Sequence, residues 1–128
     1  MTADEILDRL MRVGVRVGKV VDALPDTRLG RHVAGQLVRC GTSPLPNYAE
    51  GCAAESRDDF IHKLSVVLKE LRETTVWLKF IVLAELLPGQ KMADVIDEST
   101  QLEKIIGKSL VTAKRNAGRM TEQSPKRR

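Results

Sequence analysis

The residues best equipped for chemistry in this chain are two histidines and two cysteines: His32, His62, Cys40 and Cys52. By type they match a zinc site, yet eleven residues separate the cysteines and neither a C-x-x-C pair nor a zinc-like His spacing occurs. Two thiols without such spacing pack as small hydrophobes. Ser43 has no general base within a recognisable motif, and no E-x-x-H sequence of the di-iron bundles is present. Glycines are plentiful around residues 30–41, but they form neither G-x-x-x-x-G-K-[ST] nor a strand-linked G-x-G-x-x-G. The expectation is a protein that is not an enzyme and carries no metal or cofactor.

What remains is charge and polarity. Arg9, Arg12, Arg16 and Lys19 fall on one flank of a first helix. Such a run is either a solvated face or a stripe for phosphates. A second basic set lies at the C-terminus, where Lys114, Arg115, Arg119, Lys126, Arg127 and Arg128 face only Glu122. Residues 114–128 carry a net +5 and the other 113 carry −1, so the pI of 9.3 describes the tail rather than the body. Asn47 and Glu50 stand three apart, on one helical face. They either satisfy backbone groups freed by nearby prolines, or pair with a neighbouring helix, or present a polar contact surface.

Four helical stretches must position these groups. In the first, Ala3 to Leu24, Ile6, Leu10, Val13, Val17, Val20 and Leu24 recur at three- and four-residue steps, and Pro25 ends it. A second seam holds Leu7, Met11, Gly14, Gly18 and Val21. Its glycines are either tolerated or admit another backbone at close range. The second helix starts near Asp26 or Thr27, with His32, Val33, Leu37 and Cys40 on its apolar side. The third spans Arg57 to Leu87, capped by Ser56, with a seam of Phe60, Leu64, Val67, Leu71, Thr74, Leu78 and Ile81. Its end, residues 76–87, is apolar all round, which demands cover on several sides. Val76, Trp77, Phe80, Leu83, Ala84 and Leu87 are therefore expected at a subunit interface. The fourth helix, Met92 to Ala117, carries Met92, Val95, Ile96, Leu102, Ile106, Leu110 and Ala113.

Between the second and third helices lies SPLPNYAEGCAAESRDDF, residues 43–60. Ser43 is expected as an N-cap, Pro44 and Pro46 at the first and third helical positions, and Gly51 as a left-handed stop. Residues 36–60 resemble the signature segment of a small four-helix-bundle family, the proteins encoded within intervening sequences of bacterial large-subunit ribosomal RNA genes. Accessory variability proteins of diversity-generating retroelements are related to them. Gln36, Leu37, Ser43, Asn47, Ala49, Glu50, Gly51 and Phe60 match the pattern Gln-Leu, Ser-Ile-Pro-x-Asn-Ile-Ala-Glu-Gly, Asp/Glu-Phe. Pro44-Leu45 in place of Ile-Pro, the added Pro46 and Tyr48 in place of Ile depart from it. Ser43, Asn47, Glu50 and Gly51 are its signature turn here.

The resemblance implies an all-α antiparallel bundle, up-down-up-down, over residues 1–117; by their own composition residues 118–128 are expected as a disordered basic tail. It also implies a ring-like homopentamer that associates with structured RNA or with a reverse transcriptase and its RNA. The rival reading is a protein-interaction scaffold that binds no nucleic acid. With 3% aromatic residues the chain has little with which to stack on single-stranded bases. The N-terminus is acidic and polar, and no apolar run reaches the ~18 residues of a membrane span. A cytoplasmic protein without membrane contact is expected.

Overall fold

The computed structural model describes residues 1–123, with side chains as far as Gly118. Its first helix, α1 (Ala3–Ala23), opens on a reciprocal cap. The Thr2 hydroxyl accepts from the Glu5 amide at 3.1 Å, and the Glu5 carboxylate accepts from the Thr2 amide at the same distance. Leu24, extended, and Pro25 end it. Thr27 caps α2 (Arg28–Thr42) by accepting from the Gly30 amide at 3.0 Å. Then come α3 (Pro44–Cys52), α4 (Arg57–Leu83) and α5 (Gly89–Gln123). The chain is all-helical, with no strand among the described residues.

Ser43 is helical, at φ −55° and ψ −36°, and its amide bonds to the Arg39 carbonyl. It joins α2 to α3 as one arm instead of capping α3, which corrects the expected N-cap. The five segments thus form four helical arms. The two prolines withhold their amide donors here, and the side chain of Asn47 adds bonds of its own at the joint. Its Nδ2 donates to the Ser43 carbonyl at 2.9 Å and to the Ser43 hydroxyl at 3.0 Å. Gly51 is also corrected: it lies inside α3, and no described glycine has positive φ. Its missing side chain makes room for Lys63 of α4, whose Cβ would stand 3.0 Å from an added Cβ.

The α4 helix stops earlier than expected. Leu86 donates to the Ile81 carbonyl and Glu85 to Val82, with Glu85 left-handed at φ 56°. This six-to-one and five-to-two pairing closes the last turn without glycine. By contrast α5 continues past Ala117 to Gln123, so residues 118–123 of the expected tail are helical. Residues 124–128 lie outside the described part.

The core holds the expected stripes: Ile6, Leu10, Val13 and Val17 of α1; Val33, Leu37 and Cys40 of α2; Leu64, Val67, Leu71, Leu78 and Ile81 of α4; Met92, Val95, Leu102 and Ile106 of α5. Tyr48 of α3 joins them, whereas His32 is exposed. Helix α1 packs on α2, α3 and α5, and α4 packs on α5, α3 and α2. Glycines set two of these approaches. A Cβ on Gly41 would lie 2.6 Å from Val17 Cγ1, and one on Gly14 would lie 3.1 Å from Leu45 Cδ1. Gly18, by contrast, faces open space. Where α4 meets α5, Thr75 donates to Glu103 at 2.5 Å and lies 2.7 Å from the buried Ser99 hydroxyl. Among the described residues, every buried side-chain polar atom has a hydrogen-bond partner.

Candidate nucleic-acid interface

The α1 stripe divides in two. Arg9 is half-buried and grips α5: its Nε and one terminal nitrogen reach the two carboxylate oxygens of Glu98 at 2.8 and 2.7 Å, and it donates to Gln101 at 3.0 Å. This forked pair holds the Glu98 carboxyl below the usual carboxylate range and raises the Arg9 guanidinium. Arg9 thus ties two helices together, with its donors turned inward. Arg12 pairs with Asp8 one turn back, at 2.8 Å. Arg16 and Lys19 are exposed and make no ion pair among the described residues.

The surroundings of that stripe are of mixed sign. A groove of about 690 Å³ runs between α1 and α5. Met11, Arg12, Val15 and Arg16 line one wall, and Asp94, Asp97 and Glu98 the other. A phosphate laid along Arg12 and Arg16 would meet carboxylates across the groove.

The C-terminal half of α5 is different. Lys114 and Arg115 are exposed and unpaired among the described residues. From Lys104 to Gly118 the sequence holds no Asp or Glu, and Lys104 and Lys108 extend the same exposed run. Sequence reasoning missed these two because it weighed only the net charge of the last fifteen residues. The signal was the acid-free stretch itself. The side chain of Arg119 and all of Lys126, Arg127 and Arg128 lie outside the described residues.

The apolar end of α4, expected at a subunit interface, is partly covered within its own subunit through Trp77 and Phe80, which lie beside the core. Both pack against it, as does Leu87. The Trp77 ring stands edge-on to His32 at 5.9 Å and to Phe80 at 5.6 Å, and its N–H reaches Glu73 at 3.4 Å. Ala84 is half-buried. Only Val76 and Leu83 of the six remain open, 64% and 85% exposed.

The side chains of the signature turn make contacts within the bundle. Asn47 closes on Ser43 as described, Glu50 pairs with Lys63 of α4 at 2.8 Å, and Gly51 gives that lysine its space. Beside it Tyr48 is buried, and burial pushes its hydroxyl pKa up. Burial likewise raises the Cys40 thiol, whereas Cys52 is exposed. Among the described residues no three His, Cys, Asp or Glu side chains cluster as metal ligands, and no helix is long and apolar enough to cross a membrane.

Similarity to known proteins agrees with this architecture. None of the curated proteins matches the chain. A solved structure of a protein of unknown function from the S23 ribosomal protein family of Bacteroides thetaiotaomicron is similar, with 28% identity and a TM-score of 0.79. The match covers 86% of this chain and 98% of that one. The model of the 23S rRNA-intervening sequence protein family matches residues 4–108, which takes in nearly all of α1, the whole of α2, α3 and α4 with the signature turn, and α5 as far as Lys108. On that match, the chain belongs to the 23S rRNA-intervening sequence protein family.

Proposed function

We propose that this is a non-catalytic, self-associating cytoplasmic protein that binds structured RNA through lysine and arginine contacts to phosphates. The observation that carries the reading is the acid-free half of α5, with exposed Lys104, Lys108, Lys114 and Arg115, in a chain of an rRNA-linked family. Contacts of this kind position an RNA without reading its bases. The arms run up, down, up and down in this reading. Arg9 bonding to Glu98, Arg39 to Glu70 and Thr75 to Ser99 support that order.

Exposed Val76 and Leu83 support self-association, for which the resemblance suggests a ring of five. A ring would repeat each basic surface and turn weak contacts into avid ones. The resemblance of residues 36–60 to retroelement accessory proteins suggests a reverse transcriptase and its RNA as the setting. Filter binding of a structured RNA at several salt concentrations tests the core of the proposal. Affinity should fall steeply with salt as counterions are released. Sedimentation should give an oligomer that Leu83→Glu reduces to smaller species.

A second reading, a protein scaffold without nucleic acid, draws on the arginines already committed to carboxylates. Arg9, Arg12, Arg31 and Arg39 all form ion pairs. Absence of RNA binding at low salt by an intact oligomer would establish that reading instead.

A further inference from the structure

Two rows of exposed cations without ion pairs run along the neighbouring helices α4 and α5. On α4, Lys69, Arg72 and Val76 are exposed at three- and four-residue steps; on α5, Lys104, Lys108, Val111 and Arg115 follow steps of four, three and four. Each set forms one solvent-facing line along its helix. The lysines and arginines in both lines lack ion pairs among the described residues. The contacts between the helices fix the level of one line against the other. As α4 is followed back from Val82 to Thr75, its neighbours on α5 advance from Gly89 to Ser99 and Glu103. One or two further turns bring Arg72 and Lys69 alongside Lys104 and Lys108.

We propose that this outer α4/α5 face takes the phosphate backbones of a double-stranded RNA, with Lys69, Arg72, Lys104 and Lys108 as its principal contacts. The inference rests on the RNA-binding reading above and gives it a surface that the sequence expectations did not include. The carboxylates nearby have partners of their own. Glu103 accepts from Thr75, Asp97 from Gln101, and Glu70 and Glu73 hold Arg39 on the α2 side. Asp58 lies about three turns before Lys69, at the end of the face. No aromatic side chain belongs to either line, so the face offers no platform for unstacked bases. It offers two rows of charge on helices whose axes pack roughly 8–10 Å apart. Paired RNA is recognised in this manner, by shape and by phosphates on both strands flanking a groove.

The test uses the full chain and an RNA hairpin with a long stem, titrated at several salt concentrations. The combined variant Lys69→Gln, Arg72→Gln, Lys104→Gln and Lys108→Gln removes four exposed charges. Circular dichroism should confirm its fold. Each duplex phosphate contact contributes about 0.9 to the slope of log affinity against log salt, so four lost contacts should flatten it by about 3–4. The pair Arg16→Gln and Lys19→Gln should leave the slope nearly as it was. An unpaired RNA of equal length should bind more weakly than the hairpin. A four-site variant that keeps the wild-type slope overturns the assignment, as does an unpaired strand that binds as tightly as the stem. A wild-type protein with no salt-dependent RNA binding refutes the RNA function as a whole. Wild-type affinity and salt slope that survive the four substitutions refute only this face.

Discussion

Replacing Gly41 by alanine probes a close approach of α2 to α1. An added Cβ would lie 2.6 Å from Val17 Cγ1, 2.9 Å from Cγ2 and 3.1 Å from Cβ. Carbon atoms attract best at about 3.5–4.0 Å, so the new methyl group intrudes by about 1 Å. Val17 is fully buried, and a valine in a helix holds essentially one rotamer. It has no alternative orientation into which to withdraw. Overpacking of this kind costs about 1–3 kcal/mol, and the better helix propensity of alanine returns about 1 kcal/mol. The expected net loss is up to about 2 kcal/mol, or up to about 8 °C in Tm for a domain of this size. Gly35 lies in the same helix with open space around its would-be Cβ. Gly35→Ala should stabilise by about 0.5–1 kcal/mol. Thermal and urea unfolding followed by circular dichroism should therefore give opposite signs for one substitution at two sites six residues apart. The double variant Gly41→Ala with Val17→Ala should be more stable than additivity allows, by at least about 1 kcal/mol, because the colliding methyls are gone. A Gly41→Ala protein as stable as Gly35→Ala, or strict additivity with Val17→Ala, would refute the packing argument.

Arg9→Ala should cost about 1 kcal/mol at neutral pH, because a half-buried forked ion pair is lost. Glu98 is held below the usual carboxylate range, so this stabilisation exists above the unfolded carboxylate pKa of about 4.3 and is lost as pH falls through the lower folded value. The Tm gap between wild type and variant should accordingly close in melts at acid pH. Asn47→Ala should lower stability by about 0.5–1.5 kcal/mol per hydrogen bond to Ser43, read by urea unfolding. Glu85→Gly should raise stability by up to about 1 kcal/mol, since a left-handed position penalises any side chain; an unchanged urea midpoint would count against that strain. In thiol labelling of the native protein, exposed Cys52 should react at once and buried Cys40 only on unfolding.

The apolar stripes were legible in the sequence because a helix repeats every 3.6 residues, and the residues of each stripe must share a side. Ile6 to Val17 and Leu64 to Ile81 therefore appear in the core as expected. Helix ends were less legible where one residue type answers several physical demands. Gly51 looked like a left-handed stop, but its lack of a side chain serves Lys63. The real left-handed stop is Glu85, where hydrogen bonds to Ile81 and Val82 override the preference for glycine. Charge was legible as composition but not as partnership. Arg9 belongs to a basic run in the sequence, while its partner Glu98 stands 89 positions away. Trp77 and Phe80 were read as surplus apolar surface because nothing local indicates that the second arm brings His32 against Trp77, which in turn meets Phe80.

The hydroxyl pair Thr75 and Ser99, with Glu103, interrupts an otherwise aliphatic seam between α4 and α5. Leucine and isoleucine side chains pack nearly as well after a helix slips by one turn, about 5.4 Å, because one greasy knob resembles the next. Hydroxyls are not interchangeable in that way. After such a slip the buried Ser99 hydroxyl would lose Thr75 and Thr75 would keep only its bond to the Leu71 carbonyl, at about 1–3 kcal/mol for a group left unsatisfied. The trio therefore works as a vernier mark. It singles out one alignment of the two longest helices from a series of near-equals, and with it the level at which Lys69 and Arg72 stand beside Lys104 and Lys108.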